Sequence, residues 1–144
     1  MINVETSVLI DQPIEKVFEF VTTPENDEQW LIGVKAKKTS TEPTKVGATS
    51  ETEIRFLGQS IKTTFEVTKY EPPGKIEIKT ISGPVDMKAV ETFESVAEGQ
   101  TKVTVRGEAH ARGFFKLAEP IVERMAQRQW ESSYENLKDV LEAH

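Results

Sequence analysis

The feature that most constrains the fold is a long helical pattern near the end of the chain, over about residues 120–143. At about 1.5 Å per residue, a helix of this length reaches roughly 36 Å, enough to cross a whole β-sheet. Its apolar side repeats at helical spacing and consists of Val122, Ala126, Trp130, Leu137, Val140 and Leu141. The middle of that side carries Ala126, Gln129 and Ser133, which are small or polar. We therefore expect a helix whose ends anchor to a sheet and whose centre leaves a hollow.

The rest of the chain is predicted to form mainly β-strands. Residues 2–10 alternate between two faces, which predicts a strand. Two short helices follow, the first over about residues 13–22 and the second between Pro24 and Trp30. Further strands, separated by turn residues, are predicted at residues 34–41, 48–57, 61–70, 75–82, 87–96 and 101–111. This order predicts an α+β fold, with a curved antiparallel sheet of about seven strands wrapped on the C-terminal helix.

Composition limits the classes of partner. The 144 residues fit a single domain, residues 1–144, and are enough to bury a core without a metal or a disulfide. The formal net charge of −6 argues against nonspecific attraction to nucleic acid or to an anionic membrane. The chain has no cysteine, which excludes disulfides and cysteine nucleophiles. We see no signal peptide and no apolar stretch long enough to span a bilayer, so we expect no membrane insertion and a cytoplasmic location.

Several local sequences are similar to one known family. The segment 10–18, Ile-Asp-Gln-Pro-Ile-Glu-Lys-Val-Phe, is similar to its opening strand-to-helix joint, and residues 24–30 are similar to its short second helix ending in tryptophan. Residues 46–47, 67–73 and 99–104 resemble its usual strand and turn landmarks. On these marks, over nearly the whole chain, the sequence resembles the START-like or SRPBCC superfamily, and within it the polyketide cyclase/dehydrase-like proteins. The resemblance implies a helix-grip fold.

What the resemblance implies about function is broad. Members of the superfamily bind lipids, sterols, plant hormones, polyketides or quinones, and a minority catalyse cyclisation or dehydration. They share no common catalytic residue. The pollen-allergen branch carries a glycine-rich loop, and the matching stretch here, residues 44–48, holds one glycine. The resemblance therefore implies a small hydrophobic ligand as partner and leaves the oligomeric state open.

Few residues suggest catalysis or metal binding. His110 falls on the outer face of its strand by alternation, so we interpret it as solvated. Glu25, Asp27 and Glu28 suit the start of a solvated helix better than a cation site, and no metal-ligand spacing is present. Glu91 is the one weak catalytic candidate, because a carboxylate on the inward face of its strand would have a raised pKa; a solvated position near the sheet end is the alternative. We expect no metal and no cofactor.

Aromatic side chains are the most direct candidates for ligand contacts. The predicted ligand-binding residues are Trp30, Phe56, Phe65, Phe93, Ala126, Gln129, Trp130 and Ser133. The three phenylalanines come from separate strands, Trp130 faces them from the long helix, and Trp30 is expected at the mouth of the hollow. Gln129 and Ser133 would supply the few polar contacts that orient an apolar ligand. For each aromatic residue taken alone, core packing is the alternative.

The sequence leaves three functions open. The first is a binding or carrier protein for a small hydrophobic ligand (lipid, aromatic or polyketide-like) held between the sheet and the C-terminal helix. The second is a cyclase or dehydratase acting on a polyketide-like substrate, which requires a buried ionisable side chain such as Glu91 beside the cavity. The third is a protein-interaction module, which requires an exposed apolar patch. Because no catalytic constellation stands out, we expect binding rather than catalysis.

Overall fold

The computed structural model describes residues 1–38, 44–56 and 58–143, without the side chains at positions 36–38, 56, 114 and 115. It confirms the α+β fold and the predicted order of elements. The strands are β1 Ile2–Ile10, β2 Val34–Lys38, β3 Thr49–Phe56, β4 Gln59–Glu71, β5 Lys75–Ser82, β6 Val85–Ala97 and β7 Gln100–Ala111. The helices are α1 Ile14–Val21, α2 Asp27–Trp30, α3 Phe114–Leu117 and α4 Glu119–Glu142, with a 3₁₀ turn at Pro24–Asn26 before α2.

The strands of the described residues form one antiparallel sheet in the order β1-β7-β6-β5-β4-β3-β2. Neighbouring strands follow one another in sequence except β1 and β7, which pair with Ile2 opposite Ala109. Register shifts interrupt the β4–β5 and β6–β7 ladders, and such irregularities bend long strands and increase their twist. The sheet therefore curls into a half-barrel around α4. The predicted end of the second strand, residues 39–41, lies outside the described residues.

Alternation along β7 decides which side chains face α4. The buried positions are Thr101, Val103, Val105, Gly107, Ala109 and Ala111. Side chains between them, including His110, are exposed or half-buried, as the period of two requires. The predicted inward set of this strand is confirmed, and His110 lies on the outer face.

The apolar core lies where α1 meets the C-terminal half of α4. Val17, Phe18 and Val21 fall at helical spacing and form the buried face of α1. They pack in one cluster with Leu137 and Leu141 of α4, which are 0% and 1% exposed. This cluster closes one end of the curved sheet, so a hollow between the sheet and α4 must lie nearer the middle of that helix.

Candidate functional site

A cavity of about 330 Å³ lies between the concave face of the sheet and α4. This volume falls within the range of about 300–1,000 Å³ that is usual for small-molecule sites. Strand residues on its wall include Thr52, Ile54, Ile61, Thr63, Phe65, Ile78, Met87, Ala89 and Glu91. Trp30, Val122, Gln129, Trp130, Ser133 and Tyr134 close it from the helical side. Most of this wall is apolar, and the hollow opposite the middle of α4 is where the sequence analysis expected it.

Some of the aromatic candidates line the cavity, and one packs in the core instead. Trp30, Phe65 and Trp130 line the cavity. Phe93 does not: it is 5% exposed, and its ring packs edge-on against Phe18 with the centroids 5.0 Å apart. The prediction for Phe93 was wrong because α1 covers that part of β6. The side chain of Phe56 lies outside the described residues.

Ala126 also belongs to the core rather than to the wall. It packs against a second apolar cluster that includes Ile2, Val4 and Ala109, and it is not among the residues that line the cavity. The helical pattern placed Ala126 correctly on the inner side of α4. It could not show that β1 and β7 approach the helix at this position and leave no hollow there.

Gln129 and Ser133 line the cavity but bind the backbone after α2. Gln129 Nε2 donates to the Ile32 carbonyl at 2.7 Å, and the Ile32 N–H donates to Ser133 Oγ at 3.0 Å. One turn later, Asn136 Nδ2 donates to the Trp30 carbonyl at 3.1 Å. These bonds satisfy polar groups that the sequence analysis assigned to a ligand. In the structure they hold α2 and its following loop against α4.

That attachment brings Asp27 and Trp30 to the cavity. The two residues are three apart on α2 and therefore share one side of it, and both line the cavity. Burial raises the pKa of Asp27 to about 8, with smaller contributions from the negative charges of Glu91, Glu25 and Glu28. The interpretation of Asp27 as part of a solvated helix start was therefore wrong.

Glu91 forms the second part of a polar cluster on the cavity wall. Tyr134 donates its hydroxyl to Glu91 Oε2 at 2.7 Å. Burial raises the pKa of Glu91 to about 7, although the hydrogen bond from Tyr134 acts in the opposite direction. The pKa of Tyr134 is raised well above its usual value by burial and by the neighbouring charge of Glu91, so the phenol stays protonated and acts as a donor. We call Asp27, Glu91 and Tyr134 the carboxyl cluster.

Sequence reasoning found one member of this cluster and missed two. Glu91 followed from the period of two along its strand. Tyr134 lies four residues after Trp130 and three before Leu137, so helical spacing alone could have placed it on the inner face. Asp27 was hidden by the acidic run around it, because Glu25 and Glu28 are exposed while Asp27 is half-buried.

Trp30 carries an unused hydrogen-bond donor. It was expected at the mouth, but it is 3% exposed and packs edge-on against Tyr134 with the ring centroids 5.0 Å apart. Among the described residues, its indole Nε1 is the buried side-chain polar atom without a hydrogen-bond partner. A buried donor left unpaired costs about 1–3 kcal/mol. A ligand oxygen that accepted this N–H would remove that cost.

A glycine fixes the position of the second tryptophan. Gly107 is buried on β7, and a Cβ atom there would come within 2.5 Å of Trp130 Cη2. The indole of Trp130 therefore lies directly on the backbone of β7. Because position 107 has no side chain, the indole can approach the strand this closely.

Neither a metal-binding cluster nor a membrane-spanning helix is found in the described part of the chain. Over the described ranges, no group of three or more His, Asp or Glu side chains could hold a metal ion. In the same part of the chain, no helix is both long and apolar enough to cross a bilayer.

A family model described as "Polyketide cyclase / dehydrase and lipid transport" matches residues 1–142. The chain belongs to this family. The resemblance drawn from the short sequence motifs is thereby confirmed. No curated protein is a significant match to the sequence.

Solved structures share the family's fold at low sequence identity. A protein from Thermus thermophilus is 17% identical, with a TM-score of 0.85 over 98% of this chain and 97% of that one. A START superfamily protein from Mycobacterium smegmatis is 15% identical, with a TM-score of 0.83 over 99% of both chains. The Zhui aromatase/cyclase from a Streptomyces species is 14% identical, with a TM-score of 0.81 over 97% of this chain and 93% of that one. At such identities the likeness shows the fold alone.

Proposed function

We propose that this protein binds a small, mostly apolar molecule in its internal cavity, with an oxygen-bearing group of the ligand at the carboxyl cluster. The observation that carries the proposal is a cavity of about 330 Å³ with a mostly apolar wall that includes the carboxyl cluster. An apolar pocket with a few convergent polar groups is the usual form of a small-molecule site. The description of the family, which includes lipid transport, supports the same class of ligand.

Polar groups of the carboxyl cluster and of Trp30 would orient the ligand. Trp30 Nε1 offers an unpaired donor, and Tyr134 holds Glu91 in place through its hydroxyl. Because burial and mutual repulsion oppose a second negative charge here, a carboxylate ligand should be excluded. A neutral hydroxyl or carbonyl group fits the carboxyl cluster best.

Intrinsic fluorescence provides a direct test of binding. The chain has two tryptophans, and both line the cavity, so ligand entry should change their emission. We expect 2-naphthol to quench this emission saturably and 2-naphthoate to do so at least tenfold more weakly. Native mass spectrometry of the same samples should show a one-to-one complex. Absence of both signals for every neutral aromatic or fatty alcohol tried would contradict the proposal.

A second candidate function is acid–base catalysis, and the carboxyl cluster is the observation that favours it. Dehydration of a β-hydroxy ketone needs a base that removes the proton from carbon and an acid that protonates the departing hydroxyl, which leaves as water. Glu91, with a pKa of about 7, suits the base, and Asp27, with a pKa of about 8, suits the acid. The pair carrying one proton supplies both roles. The aromatase/cyclase among the solved structures supports this candidate at the level of fold only.

The two candidates differ in what two conservative variants would do. If the protein is a dehydratase, Glu91→Gln and Asp27→Asn should each lower kcat by about 100-fold or more while the ligand still binds. The rate should be greatest between about pH 7 and about pH 8, because it requires ionised Glu91 and protonated Asp27. A protein that binds neutral aromatic ketols and never turns them over would be a carrier.

A further inference from the structure

Three large apolar side chains are exposed in a row outside the cavity. Leu117 of α3 is 89% exposed, and Ile121 and Met125 of α4 are 55% and 41% exposed. They follow each other at intervals of four residues, so Ile121 and Met125 share one side of α4. Ile121 N–H donates to the Ala118 carbonyl, which keeps the chain near helical geometry between the two helices. Single exposed apolar residues are common, but three at intervals of four residues, two of them on one face of α4, call for a reason.

Basic residues surround this row. Lys116, Arg124 and Arg128 are all exposed, and they form no ion pair within the described ranges. Arg124 and Arg128 are one turn apart and lie on the same side of α4 as Ile121. We call Lys116, Leu117, Ile121, Arg124, Met125 and Arg128 the basic–apolar stripe.

The acidic residues of the same turns point the other way. Glu119 binds the N-terminal amino group of Met1 at 3.3 Å and accepts a hydrogen bond from the Ala111 N–H. Glu123 accepts from the Asn3 N–H at 3.0 Å. Both carboxylates therefore lie toward the edge of the sheet and leave the outer side of the helix positive. The protein therefore carries a locally positive surface on α4, although its net charge is −6.

The second half of α4 has the opposite character. Its exposed charged residues include Glu131, Glu135 and Asp139. The helix dipole favours acidic residues near the start of a helix and basic residues near its end. Stability of the helix therefore does not explain why the exposed basic residues lie in the first half and the exposed acidic residues in the second.

The charge pattern also decides among occupants of this surface. An antiparallel α4 from a second copy would match basic with acidic residues, but it would place the apolar row against Glu135 and Asp139. A stable protein interface covers about 800 Å² on each partner, which is more than three side chains provide. An anionic lipid surface has neither difficulty, because apolar tips enter the headgroup region while arginine and lysine reach the phosphates.

We propose that the basic–apolar stripe is a docking surface for an anionic lipid bilayer. The mode is peripheral: the first half of α4 lies in the plane of the interface, and its acidic second half tilts into water. At physiological ionic strength charges are screened beyond about 8 Å, so the stripe meets the lipid headgroups without the full repulsion of the net charge. On the other side of the same helical segment, Val122 and Trp130 line the cavity. Docking would thus place one wall of the cavity beside the membrane.

Co-sedimentation of the full chain with vesicles tests the proposal. We expect binding to vesicles of phosphatidylcholine mixed with phosphatidylserine, and little binding to phosphatidylcholine alone. The double variant Arg124→Glu, Arg128→Glu should bind at least about 30-fold more weakly, since each basic residue near an anionic surface contributes roughly fivefold. Replacing Ile121 and Met125 by serine should weaken binding about tenfold by removing the inserted apolar groups. High salt should release the wild-type chain.

Matched controls separate the stripe from general charge and hydrophobicity. Lys79 and Lys102 are exposed outside α4, so Lys79→Glu, Lys102→Glu changes the net charge by the same amount and should retain binding. Leu9→Ser removes an apolar side chain that is 46% exposed elsewhere and should also retain it. All these positions are exposed, and circular dichroism would establish that each variant folds.

The proposal is overturned by any of three results. The wild-type chain does not sediment with the phosphatidylserine vesicles at low salt; the stripe variants and the control variants lose binding equally; or size-exclusion chromatography shows that the stripe forms a dimer that the Arg124→Glu, Arg128→Glu variant abolishes. None of these results depends on ligand binding in the cavity, so the proposed function is tested separately.

Discussion

Two segments on the inner side of α4 face the same sheet, but one is packed in the core and the other borders a cavity. Near its C-terminal end, Leu137 and Leu141 are fully buried in the apolar cluster that also contains the inner face of α1. In its middle, Gln129 and Ser133 bind the loop at Ile32, and the space beyond them is a cavity. The packed end stabilises the fold, while the hollow middle carries polar groups that a packed core would exclude. The comparison teaches that one helix can stabilise the fold at its end and line a binding site at its middle, where both the sheet and the loop after α2 contact it.

Truncation at the packed end should produce the largest loss of stability. Leu137→Ala removes a side chain with no exposed surface and should cost about 3–4 kcal/mol, because neighbouring groups cannot fill the space. Ile54→Ala, on the cavity wall, should cost clearly less, since part of the Ile54 side chain already faces empty volume. Urea denaturation of both variants measures the difference. Equal costs at the two sites would show that the cavity is filled or collapsed in solution.

A change of pH should affect the hollow middle and leave the packed end unchanged. The pKa values of Asp27 and Glu91 are higher in the folded chain than their ordinary values of 3.8 and 4.5, so the folded state binds more protons. Their contribution to stability is fully present below about pH 4 and is lost as the pH rises through about 7 and about 8. We expect a loss of up to about 5 kcal/mol between about pH 5.5 and about pH 8.5, at about 1.4 kcal/mol for each pKa unit, measured by urea denaturation.

Amide variants isolate the source of that pH dependence. Asp27→Asn combined with Glu91→Gln should flatten the stability profile in this range. Glu119 serves as a comparison, because the hydrogen bond from the Ala111 N–H lowers its pKa and its contribution therefore changes only at more acidic pH. A slope that persists in the double amide variant would assign the effect to other groups.

Gly107→Ala should perturb the boundary between the two segments. The new methyl group would come within 2.5 Å of Trp130 Cη2, so the indole or the strand must move. We expect a destabilisation of about 1–2 kcal/mol and altered tryptophan emission, as overpacking typically has costs of this size. Adding Trp130→Phe should recover much of the lost stability, and a double-mutant cycle measures the coupling. Strictly additive effects would contradict the close contact.

Filling the hollow should have the smallest effect on stability and a clear effect on binding. Thr52→Ile places an ethyl group in the cavity wall where the threonine hydroxyl stood, on a β-branched residue that suits a strand. We expect a change in unfolding free energy of less than about 1 kcal/mol and at least tenfold weaker quenching by 2-naphthol. Ser133 is a poor position for the same experiment, because its substitution also breaks the hydrogen bond from Ile32. A large destabilisation by Thr52→Ile would mean that the wall is already close-packed.

Local pattern was enough to predict most of the fold. The period of two predicted the outward position of His110 on β7, and the helical period predicted α1 and the inner side of α4. These elements are amphipathic because each buries one face, so the sequence of each element shows which of its faces is buried. The same rule placed Glu91 on the concave face.

Tertiary contacts decided the site. Phe93 and Ala126 have the pattern of inward residues, yet α1 covers the first and the neighbouring strands enclose the second. Asp27 looks like a solvated acid in the sequence, and it lines the cavity because α4 holds the loop after α2. Periodicity shows on which face of its element a side chain lies. Whether that side chain lines a cavity or packs in the core depends on which other part of the chain lies opposite it. The sequence by itself therefore determined the sheet, the long helix and a hollow between them, and only the tertiary structure brought Asp27 to the same hollow as Glu91.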